Sequence, residues 1–206
     1  MYKRYVKRIL DFVFAIILII ILSPIMVIAA IAIKIEDSNG PVLFKQKRLG
    51  KDAKIFTVYK FRTMKVETEK DGKPLTDMER MTKVGSILRK ISIDELPQIF
   101  NIFRGEMSFI GPRPLLVQYL ELYTPEQMRR HEALPGISGW AQVNGRNAIN
   151  WEEKFKLDVW YVDNQSFLVD LKILFMTIYN ILKREGINNS QGDTMPTFRG
   201  NEFNNK

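Results

Sequence analysis

The sequence predicts a mixed α/β fold, mostly helical with a small β-hairpin, held to a membrane by its N-terminal segment. Three observations carry this. Residues 12 to 33, FVFAIILIIILSPIMVIAAIAI, form an uncharged run, and about 20 such residues suffice to cross a bilayer as a helix. Residues 42 to 49 and 55 to 61 read as two short strands joined across LGKDAK. From Phe167 to Glu185, apolar residues recur at helical spacing.

A chain of 206 residues, 46% hydrophobic and 26% charged, is long enough for one globular domain with a core, plus appendages. It divides into a membrane segment (1–36), the main globular domain (37–186) and a polar tail (187–206). A net charge of +8 and a pI near 9.6 fit nucleic acid, an anionic membrane surface or a phosphorylated substrate as partner. The absence of cysteine excludes a disulfide framework, a thiolate metal site and a cysteine nucleophile.

The apolar run fits a cleaved signal peptide poorly, because it is too long and IAIKIEDSNG lacks a small-residue cleavage site. Basic residues flank it on both sides: Lys3, Arg4, Lys7 and Arg8 before, Lys34, Lys45, Lys47 and Arg48 after. A spanning helix would concentrate them on one side. Near the middle, Ser23-Pro24 favours a break, since proline removes a backbone donor and Ser23 can satisfy the freed carbonyl. These residues fit a segment that returns to the same face as well as they fit a kinked spanning helix.

In the second strand, alternation puts Lys60 and Arg62 on one face. Residues 65 to 80 lose the apolar period and carry Gly72 and Pro74, which predicts a loop or a loosely packed helix. Thr124-Pro125-Glu126-Gln127 has the signature of a helix start, running to about Leu134, where Pro135-Gly136 stops it. Residues 151 to 163 predict another short helix. In the helix from Phe167, the stripe of Leu168, Leu171, Leu174, Phe175, Ile178, Ile181 and Leu182 is expected on the core, with membrane-surface contact as the alternative. Gly186 is placed to cap its end. Phe198 and Phe203 are candidate anchors in the tail.

The candidate chemistry centres on RKISIDELPQIFNIF, residues 89 to 103, where Asp94 and Glu95 interrupt an apolar run. Ser92 to Glu95 fits a capping box. Pro97 favours a later register: with Asp94 as N-cap, the proline falls where no intrahelical bond is due. Asp94 is therefore expected at a helix mouth, where the positive dipole end keeps a carboxylate ionised and attracts anions. Such a group is a candidate nucleophile toward phosphorus or a ligand for magnesium, with plain capping as the alternative.

Gly111-Pro112-Arg113-Pro114 sets a guanidinium between two prolines, which lowers the entropy lost when it grips an oxyanion; a simple turn would use the same residues. PGISGWAQVNGR, residues 135 to 146, reads as a loop whose glycines let its backbone approach a ligand, with Gln142 and Arg146 among its donors, or as a purely structural loop. Lys60, Arg62, Arg89, Arg113 and Arg146 together are candidates to neutralise a diphosphate, with a solvated basic face as the alternative for any single one. No P-loop, dinucleotide fingerprint or serine elbow occurs. His131, the sole histidine, is expected on the surface of a charged helix.

The segment with Ser23-Pro24, KFRTM at 60–64, SIDELPQ at 92–98, MSFIGPRPLL at 107–116 and PGISGWAQVNGRNAINWEEKF at 135–155 stand in the order of one family. The chain resembles the bacterial sugar transferases known as small monotopic phosphoglycosyl transferases (PglC-like). The resemblance implies a membrane enzyme that moves a sugar 1-phosphate from a UDP-sugar to polyprenyl (undecaprenyl) phosphate and releases UMP, the first membrane step of glycoconjugate assembly. It implies a re-entrant segment broken at Ser23 and Pro24, amphipathic helices on the membrane surface, and a monotopic chain on the cytosolic face of the bacterial inner membrane. Asp94 becomes the implied nucleophile, forming an aspartyl-phosphosugar, with Glu95 assisting. Lys60, Arg62, Arg89, Arg113, Gln142 and Arg146 become implied substrate-binding residues, and Mg2+ the implied cofactor with Asp94 as ligand. The partners are then a UDP-sugar, polyprenyl phosphate and the bilayer, without nucleic acid; the oligomeric state stays open, a homodimer included. Two rival readings are a glycosyltransferase that releases UDP and a non-catalytic basic membrane scaffold.

Overall fold

The structure, a computed structural model, describes residues 1–70, 72–145, 149–183 and 197–200. After a π-helical turn at Tyr2–Val6, the elements in chain order are α1 (Lys7–Glu36), β1 (Leu43–Leu49), β2 (Ile55–Phe61), β3 (Glu69–Lys70), β4 (Lys73–Pro74), α2 (Asp77–Arg80) and α3 (Lys83–Lys90). A 3-10 stretch at Ile93–Gln98 leads into α4 (Ile99–Arg104), followed by β5 (Ser108–Ile110), α5 (Pro125–Met128), β6 (Gly136–Ser138), α6 (Trp140–Asn144), α7 (Trp151–Asn164) and α8 (Phe167–Lys183). The mixed, mostly helical fold and the β1/β2 hairpin are as expected. The chain forms two units: Met1–Phe12 with Lys47–Phe56 and Ile102–Lys206, and Val13–Gln46 with Thr57–Asn101.

In the second unit, Met26, Ala29 and Ile33 of α1 pack with Phe61 and Leu88, flanked by Val42, Val84, Ile93 and Leu96. Most of the remaining apolar surface of α1 is exposed, including Ile20, Ile21, Val27 and Ile28. The helix is long and apolar enough to cross a membrane. It runs through Pro24 as one element. The Ser23 hydroxyl donates to the Ile20 carbonyl at 2.8 Å, the acceptor that Pro24, lacking an N–H, leaves without its ladder bond.

Residues 65–70 and 72–80 carry short regular elements that the sequence did not imply. Glu69 pairs with Pro74 and Lys70 with Lys73, and Gly72 supplies the positive φ of 74° that the turn between them requires. Thr76 and Glu79 then form a capping box on α2.

In the first unit, β5 and β6 pair in parallel, Ser108 with Gly136 and Ile110 with Ser138. Ile110 joins a core with Ala133, Tyr161, Val162 and Ile173. A second core gathers Leu115, Tyr119, Trp151 and Phe155 around Phe198, so the expected anchor in the tail holds. Gly186 and Phe203 lie outside the described residues. Thr124 caps α5 through the expected box with Gln127. The helix is shorter than predicted: it tightens to 3-10 geometry at Arg129–Glu132, and Ala133 is extended. Pro135 disfavours the helical region for its predecessor, which stops the helix before Leu134.

The stripe on α8 is a correction. Leu168, Leu174, Phe175, Ile178, Ile181 and Leu182 are exposed, and the helix packs inward through Asp170 and Ile173 instead. The burial of Asp170 has a polar cause. Its carboxylate accepts from Lys7 Nζ at 2.6 Å, from the Tyr161 hydroxyl at 2.7 Å and from the Tyr2 hydroxyl. Arg8 donates to the carbonyls of Ile102 and Phe103 at the end of α4, so the first turns of α1 are fixed by charge within this unit.

Candidate active site

The segment carrying Asp94 departs from both capping registers. Ser92 takes a left-handed conformation (φ 58°, ψ 19°) with no side-chain cap, an uncommon backbone state for a residue other than glycine. It breaks the chain direction after α3. Asp94 and Glu95 then lie in the first turn of a 3-10 helix, and the α-helix starts only at Ile99. Asp94 is therefore not the N-cap of an α-helix.

The expected electrostatics change with it. Burial pushes the Asp94 carboxyl above its usual range, the neighbouring Glu95 charge adds to this, and Lys60 and Arg89 oppose it. The two cations arrive from different elements. Lys60 on β2 places Nζ 2.7 Å from Glu95 Oε1, with both side chains about four-fifths buried. Arg89, near the end of α3, donates through Nε to Thr63 Oγ1 at 3.0 Å. Asp94, Glu95, Lys60 and Arg89 thus form one cluster within the second unit.

Arg62 belongs to the same unit but faces elsewhere. It is buried, pairs with the Asp37 carboxylate, and donates through Nη2 to the Asp37 carbonyl at 2.6 Å. The alternation that puts Lys60 and Arg62 on one face ends with β2 at Phe61, so the two cations part company.

Arg113 and Gln142 lie in the first unit, and Arg146 lies outside the described residues. Buried Arg130 donates to the Arg113 carbonyl at 2.7 Å and is itself held by Asp158 at 3.0 and 2.8 Å. Lys154, one turn before Asp158, is pushed down to about 8 by burial first, with Asp158 opposing and the charges of Arg113 and Arg130 adding. This basic cluster was missed. Its available signal was Lys154 and Asp158 at helical spacing on α7.

Of residues 135 to 146, the described part is a strand, Gly136–Ser138, followed by the helix Trp140–Asn144, rather than a loop. Their glycines admit backbone: a Cβ at Gly136 would stand 2.1 Å from Gly111 N, and one at Gly139 would stand 2.2 Å from Gly111 O. Gln142 donates through Nε2 to the Ile137 carbonyl at 2.7 Å, while its Oε1 is buried without a partner.

His131 corrects a further expectation. It is buried, its Nδ1–H donates to the Gly50 carbonyl at 3.0 Å, and its pKa is pushed down to about 4 by burial and by the Arg130 charge.

Among the described residues, no group of three or more His, Cys, Asp or Glu side chains could hold a metal ion. Magnesium commonly takes one or two carboxylates and completes its shell with water and substrate phosphate. The half-buried Asp94 and the adjacent Glu95, whose mutual repulsion a cation would relieve, fit that mode.

An apolar N-terminal helix and a cluster of paired carboxylates with two cations define a membrane-associated candidate for phosphate chemistry. The chain belongs to the bacterial sugar transferase family, whose model matches residues 2–184. It is 53% identical over 196 residues to the uncharacterised sugar transferase EpsL of Bacillus subtilis, covering 94% of this chain and 96% of that one. It is 43% identical over 187 residues to the UDP-N-acetylgalactosamine-undecaprenyl-phosphate N-acetylgalactosaminephosphotransferase of Aeromonas hydrophila, covering 86% of this chain and 44% of that protein. It is 41% identical over 187 residues to the UDP-glucose:undecaprenyl-phosphate glucose-1-phosphate transferase of Escherichia coli, covering 86% and 40%. The chain thus spans less than half the length of these last two relatives.

Proposed function

We propose that the chain is a phosphoglycosyl transferase that moves a sugar 1-phosphate from a UDP-sugar to polyprenyl phosphate and releases UMP. The observation that carries this is the half-buried Asp94 beside Glu95, Lys60 and Arg89 in a member of the bacterial sugar transferase family. Relatives named as undecaprenyl-phosphate sugar phosphotransferases supply the substrate class.

The Asp94 carboxylate attacks the sugar-bearing phosphorus of the donor. The bond from that phosphorus to the bridging oxygen breaks, and UMP leaves with the electron pair. An oxygen of polyprenyl phosphate then attacks the same phosphorus, releasing Asp94 and forming the lipid diphosphate sugar. Desolvation favours the first step, because a half-buried carboxylate is less well hydrated than an exposed one. Lys60 and Arg89 offset the repulsion between anionic nucleophile and anionic donor. Glu95, bound to Lys60, orients that ammonium. Mg2+ held by Asp94 and the donor diphosphate would supply further charge neutralisation.

A covalent intermediate separates the visit of a soluble donor from that of a lipid acceptor. The acceptor arrives through the bilayer, which suits a monotopic chain on the cytosolic face whose α1 re-enters at Ser23-Pro24. The exposed apolar faces of α1 and α8 support membrane contact.

The test is to incubate the purified protein and its Asp94→Asn variant with magnesium, undecaprenyl phosphate and a panel of UDP-sugars, and to assay UMP and UDP. UMP from the wild type alone is expected. UDP would mean ordinary glycosyl transfer, and neither product would favour a non-catalytic scaffold.

A further inference from the structure

We propose that Glu36, the last residue of α1, is a positioning residue that ties the membrane helix to the reacting segment: its carboxylate fixes α3, and α3 carries Arg89 toward Asp94. The inference rests on the transferase reading above.

The geometry is specific. Glu36 Oε1 accepts from the Lys83 amide at 2.7 Å and Oε2 from the Val84 amide at 2.8 Å. A helix start usually draws such bonds from its own N-cap. Here Thr82 caps only the Gly85 amide, at 2.9 Å, and the two amides before it are satisfied from the end of another helix. A carboxylate there also meets the positive end of the α3 dipole.

The rest of α3 passes this constraint on. A Cβ at Gly85 would fall 2.1 Å from the Thr63 carbonyl oxygen, so the helix lies flush on the chain at Thr63. That same carbonyl accepts from the Thr82 amide at 3.1 Å, and the Thr63 hydroxyl accepts from Arg89 Nε at 3.0 Å. Asp37, the next residue after Glu36, holds Arg62, which directly precedes Thr63. Two consecutive acids at the end of α1 therefore fix both neighbours of the Arg89 guanidinium, the helix it sits on and the threonine it binds. A rigid eight-residue helix converts a small slip at Lys83 into an equal slip at Arg89, and sub-ångström placement is what charge stabilisation of a transferring phosphoryl group demands. The pair was visible in IAIKIED as acids closing the apolar run, without a sign of what they bind.

The experiment uses the full chain in detergent and compares wild type with Glu36→Ala, Glu36→Gln, Arg89→Ala and the Glu36→Ala/Arg89→Ala double variant. Glu36→Ala is expected to lower kcat for UMP release about tenfold while KM for the UDP-sugar stays within about twofold. Glu36→Gln, which keeps one acceptor oxygen, should recover part of the loss. Because Glu36 acts through Arg89, the double variant should be no slower than Arg89→Ala alone. Wild-type kcat in Glu36→Ala, or additive losses in the double variant, would overturn the proposal. Amide hydrogen exchange provides a readout that needs no catalysis: exchange at Lys83 and Val84 should quicken in Glu36→Ala, and unchanged exchange there would also overturn it. Failure of the wild type to release UMP would instead strike at the transferase reading and leave the exchange result to decide the contact.

Discussion

Lys60 donates through Nζ to Oε1 of Glu95 across 2.7 Å, so its ammonium is spent on the acid next to Asp94 and reaches Asp94 only through space. The carboxyl of Asp94 is left balanced between burial and Glu95, which raise its pKa, and Lys60 and Arg89, which lower it. Removing Lys60 removes one of the lowering influences. Lys60→Met should therefore move the acid limb of kcat/KM for UMP release to higher pH, because in the proposed mechanism the carboxylate must be ionised to attack. An acid limb that stays in place would show that Lys60 does not act on Asp94.

The same balance has a cost in stability. A carboxyl whose folded pKa lies above its unfolded one binds protons more readily in the native state, so its stabilising contribution is complete at low pH and fades as pH rises through the folded value. At neutral pH, Asp94 then strains the fold. Asp94→Asn should melt higher than wild type near pH 7, and the gap should close on acidification. A variant that melts lower at neutral pH would contradict the burial argument.

Arg62 offers a contrast with Arg89. Both belong to the predicted diphosphate-binding set, yet Arg62 is buried against Asp37. Asp37 is held below the usual carboxylate range, first by the Asn39 amide and then by Arg62. Arg62→Ala should cost about 2 kcal/mol of stability, between the values for exposed and fully buried pairs, with KM for the UDP-sugar little changed in the folded fraction. Chemical denaturation and steady-state kinetics measure the two effects separately. A raised KM at unchanged stability would return Arg62 to the substrate.

Thr124 and Gln127 illustrate what was legible before any fold was known. Their capping box is a local signal and forms as read, as do the hairpin strands and the helix beginning at Trp151. What escaped depends on partners far along the chain. Nothing local marks Ser92 for positive φ, so the sequence of the turn that places Asp94 reads as a helix cap. Gly136 and Gly139 suggest room for a ligand because Gly111, the backbone they admit, lies more than twenty residues away. The α8 stripe has the right period for a core helix, and period alone does not say whether a face meets protein or lipid.

His131 provides a pH test unrelated to catalysis. Its pKa falls from the ordinary 6.5 to about 4 because burial and Arg130 disfavour the charged ring. Below about pH 6.5 the unfolded chain binds a proton that the native state refuses, so stability is lost as pH falls from about 6.5 toward about 4. His131→Gln should flatten this part of the curve of melting temperature against pH, after allowance for a lower plateau. An unchanged slope would mean that carboxylates alone govern the acid limb.

Ser23 and Pro24 are the residues to which the proposed topology assigns the turn back to one face. In the structure the Ser23 hydroxyl serves the Ile20 carbonyl that Pro24 releases, which lets the helix continue in spite of the lost ladder bond. At about 1.5 Å per residue, the 30 residues of α1 exceed what a bilayer core of about 30 Å requires. Length alone would therefore permit crossing, and the proposed return to one face must come from the weakened point together with the basic residues on both flanks. Pro24→Ala restores the missing donor and should shift the segment toward spanning, moving Met1 to the far side. The chain has no cysteine, so one cysteine introduced before Lys3 reports its own position. Labelling by a membrane-impermeant maleimide from outside intact spheroplasts should rise in Pro24→Ala relative to the parent with that cysteine. Equal protection of both would show that Pro24 does not set the topology.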